Sequence, residues 1–288
     1  MKILAFSDVQ GDIETLERLG ERADGIADLE ATVCTGNFLG KCLDEKQAEI
    51  MEQSLGYIAQ RVSFGNVNLG DALTFIASGN PDQQGRTLGK DLQEAAQKYL
   101  AVEKKFMETS DETYSQMWEV VRKFRPNPDS VIIVPGYTDG TNINGYFSHF
   151  NLHPTQRNNG KVEIADLTFA GVGGSDKHSS FVPQTLRMPF ERAAAFEYLS
   201  KRDADVAVIS PSIYSAEAIR YIDDSRPDLV LYGDSNYSIA TIMNSGTIAV
   251  CPGRLGKTED NPVPGFAVID GKVVDDRLKV EDVKFCEL

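Results

Sequence analysis

Histidine is scarce in this sequence, with three residues in 288, at positions 149, 153 and 178. His149 and His153 have the spacing of a metal pair on a helix, but no Glu lies between them and Pro154 follows directly. Both therefore read as loop residues, as does His178 in Gly173-Gly-Ser-Asp-Lys-His178. The four cysteines (Cys34, Cys42, Cys251, Cys286) make no C-x-x-C pair and no zinc spacing, so they read as reduced thiols. Basic residues are outnumbered: Lys+Arg is 29 against 43 Asp+Glu, a formal net charge of -14. That balance excludes a broad nucleic-acid footprint and adhesion to anionic membranes, both of which need clustered cations. No apolar run approaches the roughly 20 residues that span a bilayer. The opening Met1-Lys-Ile-Leu-Ala-Phe-Ser-Asp8 turns polar too soon for a signal peptide, and the expected location is the cytoplasm. The sequon Asn236-Tyr237-Ser238 then reads as chance.

Two common catalytic signatures are also missing. Gly171-Val-Gly-Gly174 follows a strand but lacks the G-x-G-x-x-G of a dinucleotide loop. Ser179 beside His178 has no G-x-S-x-G elbow to make it a nucleophile. There is no internal repeat and no low-complexity tract.

Short apolar runs alternate with polar loops. Strands are expected at Ile3 to Phe6, Ala31 to Thr35, Val131 to Val134, Leu167 to Gly171, Val206 to Ile209, Leu229 to Tyr232 and Thr247 to Val250. Each ends in a loop rich in Gly, Ser, Asp or Asn, which is where open α/β sheets place ligands. Ile13, Leu16 and Leu19 mark a helix after the first strand, and Phe266 to Val274 reads as a closing hairpin centred on Gly271. The segment 41–127 is different. Met51, Leu55, Ile58 and Val62 recur at helical spacing, 92–106 reads as a second amphipathic helix, and Tyr114, Met117, Trp118, Val121 and Phe124 mark a third. Thr109 with Glu112 has the form of a capping box ahead of that third helix. The expectation is a helical insertion at 41–127 within an α/β core formed by 1–40 and 128–288.

The strand-end loops then follow a recognisable order. Asp8-Val-Gln-Gly11 resembles D-x-H-G, Gly36-Asn37 resembles G-D, and Gly136-Tyr-Thr-Asp139 resembles G-N-H-D. Ser210-Pro211 stands where a lone His belongs, and Gly233-Asp-Ser-Asn236 resembles G-H-x-H. A tail follows in which an apolar strand enters Pro252-Gly253 and then a final hairpin. This series is similar to that of the calcineurin-like metallophosphoesterases. The resemblance covers about residues 1–40 and 128–275, and it implies a β-sheet sandwich flanked by helices.

The resemblance also implies two divalent metals, about 3.5–4 Å apart, that activate a hydroxide for attack on phosphorus. Asp8 matches a ligand of the first metal, whereas Gln10 replaces the neighbouring His. Asn37 replaces the bridging carboxylate, and a neutral amide does not offset the repulsion between two dications. Tyr137 replaces an Asn ligand, and Thr138 replaces the His that serves the leaving group, so no general acid remains. Asp139 is retained but has no His to orient. Neither Ser210 nor Pro211 supplies an imidazole, whichever of them aligns, and Asp234 and Asn236 replace the final His pair. The implied function is that of a phosphoesterase-fold protein that has lost dinuclear hydrolysis and serves in binding or regulation. Its expected partner is a phosphate-containing small molecule, or a protein that docks through the helical insertion. The alternative is a hydrolase that holds one hard ion, Mg²⁺ or Ca²⁺, on Asp8, Asn37, Asp234 and Asn236.

Overall fold

Ile3 and Ala5 leave strand β1 (Lys2–Phe6) on one side and Leu4 and Phe6 on the other, and this alternation sets the layering of the molecule. The computed structural model describes the chain except for positions 41, 66, 81–87, 125–127, 148–159, 175–181, 189, 211–212, 234–236 and 258–262. After β1 come α1 (Ile13–Asp24), β2 (Leu29–Cys34), α2 (Glu45–Ala59), α3 (Leu69–Ser78), α4 (Lys90–Val121) and β3 (Val131–Ile133). Then follow α5 (Asn144–Phe147), β4 (Lys161–Ile164), β5 (Leu167–Val172), α6 (Arg192–Ser200), β6 (Val206–Ile209), α7 (Ala216–Ser225) and β7 (Leu229–Tyr232). The last four strands are β8 (Ile239–Ile242), β9 (Ile248–Cys251), β10 (Gly265–Val274) and β11 (Arg277–Glu287).

Two mixed sheets result, in the orders β11-β10-β1-β2-β3 and β4-β5-β6-β7-β9-β8. Their facing sides meet in a core of Ile3, Ala5, Val33, Ile132, Phe169, Val208, Leu231 and Val250. The outer side of the second sheet is covered by α6 and α7 through Phe196, Leu199, Ala218 and Ile222. The outer side of the first sheet is covered by α1 and α4, with Leu4, Phe6, Leu16, Leu19, Phe106, Tyr114 and Met117 in one cluster. That cluster takes in Met51 and Ile58 of α2 and Leu73 and Ile76 of α3 as well. Full burial of such side chains contributes about 1.5–3 kcal/mol each. No helix among the described residues is long and apolar enough to cross a membrane.

Two sequence expectations need correction. The stretches 92–106 and 114–124 are not separate helices. Residues 92–106 and 114–121 lie on the single 32-residue helix α4, Phe124 falls just past its end, and the Thr109–Glu112 capping box is not formed. Buried Ala96, Tyr99, Val102, Phe106, Ser110, Tyr114, Met117 and Val121 continue the i, i+3/i+4 stripe without interruption, and no Gly or Pro breaks it. The Thr109 carbonyl instead accepts from Thr113 Oγ1 at 3.0 Å, a bond typical of a helix interior. The closing hairpin also turns later than expected. β10 runs through Gly271, where the ladder only shifts register, and reverses at Asp275-Asp276. Both aspartates have positive φ (53° and 58°), the backbone of a two-residue turn that suits right-twisted strands. Helix α3 and strands β4, β8 and β11 carry too little periodicity to be read from the sequence.

Candidate functional site

Strands β1, β2, β3, β6 and β7 all end at one end of the sandwich, and among the described residues the candidates Asp8, Gln10, Asn37, Tyr137, Thr138, Asp139 and Ser210 follow those strand ends. Asp8 follows β1 with φ 52°, Gln10 has φ 55°, and Asn37 follows β2 with φ 53°. A short polar side chain tolerates this left-handed backbone better than most. The two loops are laced together by backbone bonds, Asp8 N to Gly36 O at 2.9 Å and Gln10 N to Asn37 O at 3.1 Å. Gly136 allows the third loop to approach, since a Cβ there would collide with the backbone nitrogen and side-chain oxygen of Asn37. Gly36 does the same for β6, because a Cβ at that position would overlap Ser210 Oγ.

Asn37 is the hub. Its Nδ2 donates to Asp8 Oδ1 at 2.7 Å, and its Oδ1 accepts from Thr138 N at 3.2 Å, with Thr138 Oγ1 also 3.2 Å away. A carboxylate on one side and a backbone N–H on the other fix which way the amide points. The second oxygen of Asp8 accepts from Ser7 Oγ. Thr138 Oγ1 lies 2.7 Å from Leu39 O, a bond in which it donates. Asp8, Asn37, Thr138 and Ser210 are all buried, while Gln10 and Tyr137 are partly exposed.

Asp139 is fully buried and serves as a clamp. Oδ1 accepts from Leu39 N at 3.0 Å and Tyr114 Oη at 3.1 Å, and Oδ2 accepts from Gly136 N at 2.8 Å and Phe38 N at 3.2 Å. Burial pushes its carboxyl above the ordinary carboxylate value, and the amides of Leu39, Gly136 and Phe38 and the Tyr114 hydroxyl oppose that rise without cancelling it. Burial likewise pushes the Tyr114 hydroxyl up, with Asp139 adding to the effect. The Cys42 thiol is pushed up to about 12 by burial and by the Asp139 charge, which keeps it protonated.

The loops thus bring together Asp8, Asn37, Thr138, Asp139 and Ser210. Asp234, Asn236 and Pro211 lie outside the described residues, as do His149, His153, His178 and Ser179. Ser7 and Tyr114 were not identified from the sequence. Ser7 is adjacent to Asp8 and could have been suspected on that ground. Tyr114 sits in the apolar stripe of α4, where nothing in sequence separates it from core. Among the described residues, no group of three or more His, Cys, Asp or Glu is placed to hold a metal ion.

No family model and no curated protein matches this sequence. Solved structures do. One is TT1561 of Thermus thermophilus, at 15% identity over 98% of each chain with a TM-score of 0.50. Another is the calcineurin-like phosphoesterase YfkN from Bacillus subtilis, at 13% identity over 100% of this chain and 90% of the other, with a TM-score of 0.47. Two mixed sheets between helical layers, with the motif loops gathered at one end, form the α/β sandwich expected from the sequence, and this is the fold the chain shares with TT1561.

Proposed function

We propose that this chain is a phosphoesterase-fold protein that has given up dinuclear metal hydrolysis and works by binding, as a recognition or regulatory protein. One contact carries the reading: Asn37 Nδ2 donates to Asp8 Oδ1 at 2.7 Å. In a dinuclear centre the groups at these two positions would both face metal ions as acceptors. Here one is the hydrogen-bond donor of the other, and the remaining oxygens of the pair are engaged by Ser7 Oγ and Thr138 N. Two dications do not fit this donor set. Seating them would break hydrogen bonds at buried atoms and leave positive charge uncompensated, each a cost of several kcal/mol. Thr138, where the resemblance places a leaving-group His, donates to a backbone carbonyl, and its hydroxyl is far too weak an acid to protonate a leaving group near neutral pH. The same contacts weigh against the single-ion alternative, which draws on Asp8 and Asn37 together. The bound partner is then a phosphate-containing small molecule, or a protein that reaches the site beside α4.

Turnover tests the reading. The wild-type chain and Asp8→Ala are assayed side by side on a generic phosphodiester with added Mn²⁺ or Mg²⁺. Equal, background-level rates are expected. Metal-dependent turnover that disappears in Asp8→Ala would overturn the proposal and favour the hydrolase.

A further inference from the structure

The four sheet edges of this molecule are not alike. β11 carries Arg277, Lys279, Glu281, Asp282, Lys284 and Glu287 along its length. β4 carries the Lys161–Glu163 pair, and β3 is three residues long and wholly buried. Charges, brevity and burial are the usual devices that stop an edge from pairing with another chain. β8 has only its shortness. All four of its residues are exposed, with Ile239 at 41% and Ile242 at 76% relative exposure, and Tyr237 just before it at 78%. The 19 positions from Ser235 to Gly253 hold no charged residue, in a chain whose residues are 25% charged.

The register shows which groups this edge offers. Met243 N bonds Thr247 O at 2.9 Å, so 243 and 247 form a hydrogen-bonded pair. Counting back along the β8–β9 ladder, Thr241 with Ala249 and Ile239 with Cys251 are bonded pairs too. The N–H and C=O of Ala240 and Ile242 therefore point away from β9, toward the outer edge.

We propose that β8 pairs antiparallel with β8 of a second copy of this chain, joining the two six-stranded sheets across a two-fold axis at Thr241. Ala240 of each copy then exchanges both backbone bonds with Ile242 of the other. Thr241 faces Thr241, and Ile239 faces Met243, all uncharged pairs that favour cross-strand contact. A two-fold interface must be self-complementary, and a strand with outward groups at 240 and 242 meets that condition when Thr241 lies on the axis. Charge chooses this occupant over a foreign peptide. A strand built to hold a basic or acidic segment would carry the opposite sign, and β8 carries none. For a chain of net charge -14, an uncharged edge is also where two copies meet without opposing like charges.

The test is mass in solution by sedimentation velocity across a wide concentration range. The wild-type chain is expected to move from 31.7 kDa toward twice that mass. Thr241→Lys and Thr241→Glu should each stay monomeric, because like charges then face across the axis, and mixing the two variants should restore the dimer. Hydrogen exchange at the Ala240 and Ile242 amides should slow with concentration in the wild-type chain, a readout that needs no variant. A wild-type chain that remains at 31.7 kDa throughout would overturn the proposal. So would a dimer in which the amides of Ala240 and Ile242 exchange at the monomer rate.

Discussion

At the scale of single residues, the site depends on which groups donate and which accept. Asn37 has one of each and uses both, donating to Asp8 and accepting from Thr138. Asn37→Asp therefore replaces an attraction with two carboxylates in contact in a buried setting. At neutral pH this should cost about 3 kcal/mol of stability, measured by urea unfolding. The gap to the wild-type chain should narrow on acidification. Like charges raise the folded-state value of one member of the pair, and a raised carboxyl loses stability as pH climbs. Asp139 poses the opposite problem. Each of its four contacts is a donor, so Asp139→Asn turns an N–H toward at least one of them. A loss of about 1–3 kcal/mol is expected in the same unfolding measurement, with nothing to recover it. Of these roles, the position of Asp8, Asn37 and Asp139 at strand ends was legible in sequence through the motif order. Their mutual bonding was not, because motif order says which loops meet and not which polar atoms face each other.

At the scale of elements, α4 is the part that the sequence misrepresents. Thr109 and Glu112 look like a helix start, yet the stripe from Ala96 to Val121 gains more from continuous burial than a cap would give. Glu108→Pro should distinguish the two pictures. Within one continuous helix, proline removes a hydrogen bond and clashes, at a cost of about 3 kcal/mol or more, whereas a break between two helices would tolerate it. Glu108→Ala is the control and should leave the melting temperature almost unchanged. The same helix reaches the site through Tyr114, whose hydroxyl meets Asp139 and Gly140. The first helix has its own tie. Asp12 caps α1 through Thr15 and also accepts from Lys257 N at 3.0 Å. Burial raises its carboxyl, but the Thr15 hydroxyl, the backbone N–H groups of Lys257 and Thr15 and the Lys257 charge together hold it below the ordinary value. A depressed carboxyl contributes stability above its unfolded value and loses it as pH falls through the folded one. Asp12→Ala should then cost about 1 kcal/mol at neutral pH and lose that penalty in acid, as read from melts across the acid range. The hairpin at Asp275-Asp276 was missed for a related reason. Glycine is the usual sign of a reversal, and here Gly271 marks only a shift in register while two aspartates make the turn.

At the scale of the whole molecule, the layers followed from short apolar runs broken by polar loops. Strands such as β6 (Val-Ala-Val-Ile) and β7 (Leu-Val-Leu-Tyr), buried on both faces, read as continuous apolar runs. Strands β4, β8 and β11 and helix α3 did not, because partial burial or full exposure leaves only a weak pattern. The fold brings its motif loops to one end and fills that end with hydrogen bonds between protein groups. Divalent metal stoichiometry measures the consequence directly. The purified chain, incubated with Mn²⁺ or Zn²⁺ and dialysed, is analysed for bound ion beside Asp8→Ala. The same residual metal is expected in both proteins. Two ions per chain in the wild type, lost in Asp8→Ala, would contradict it.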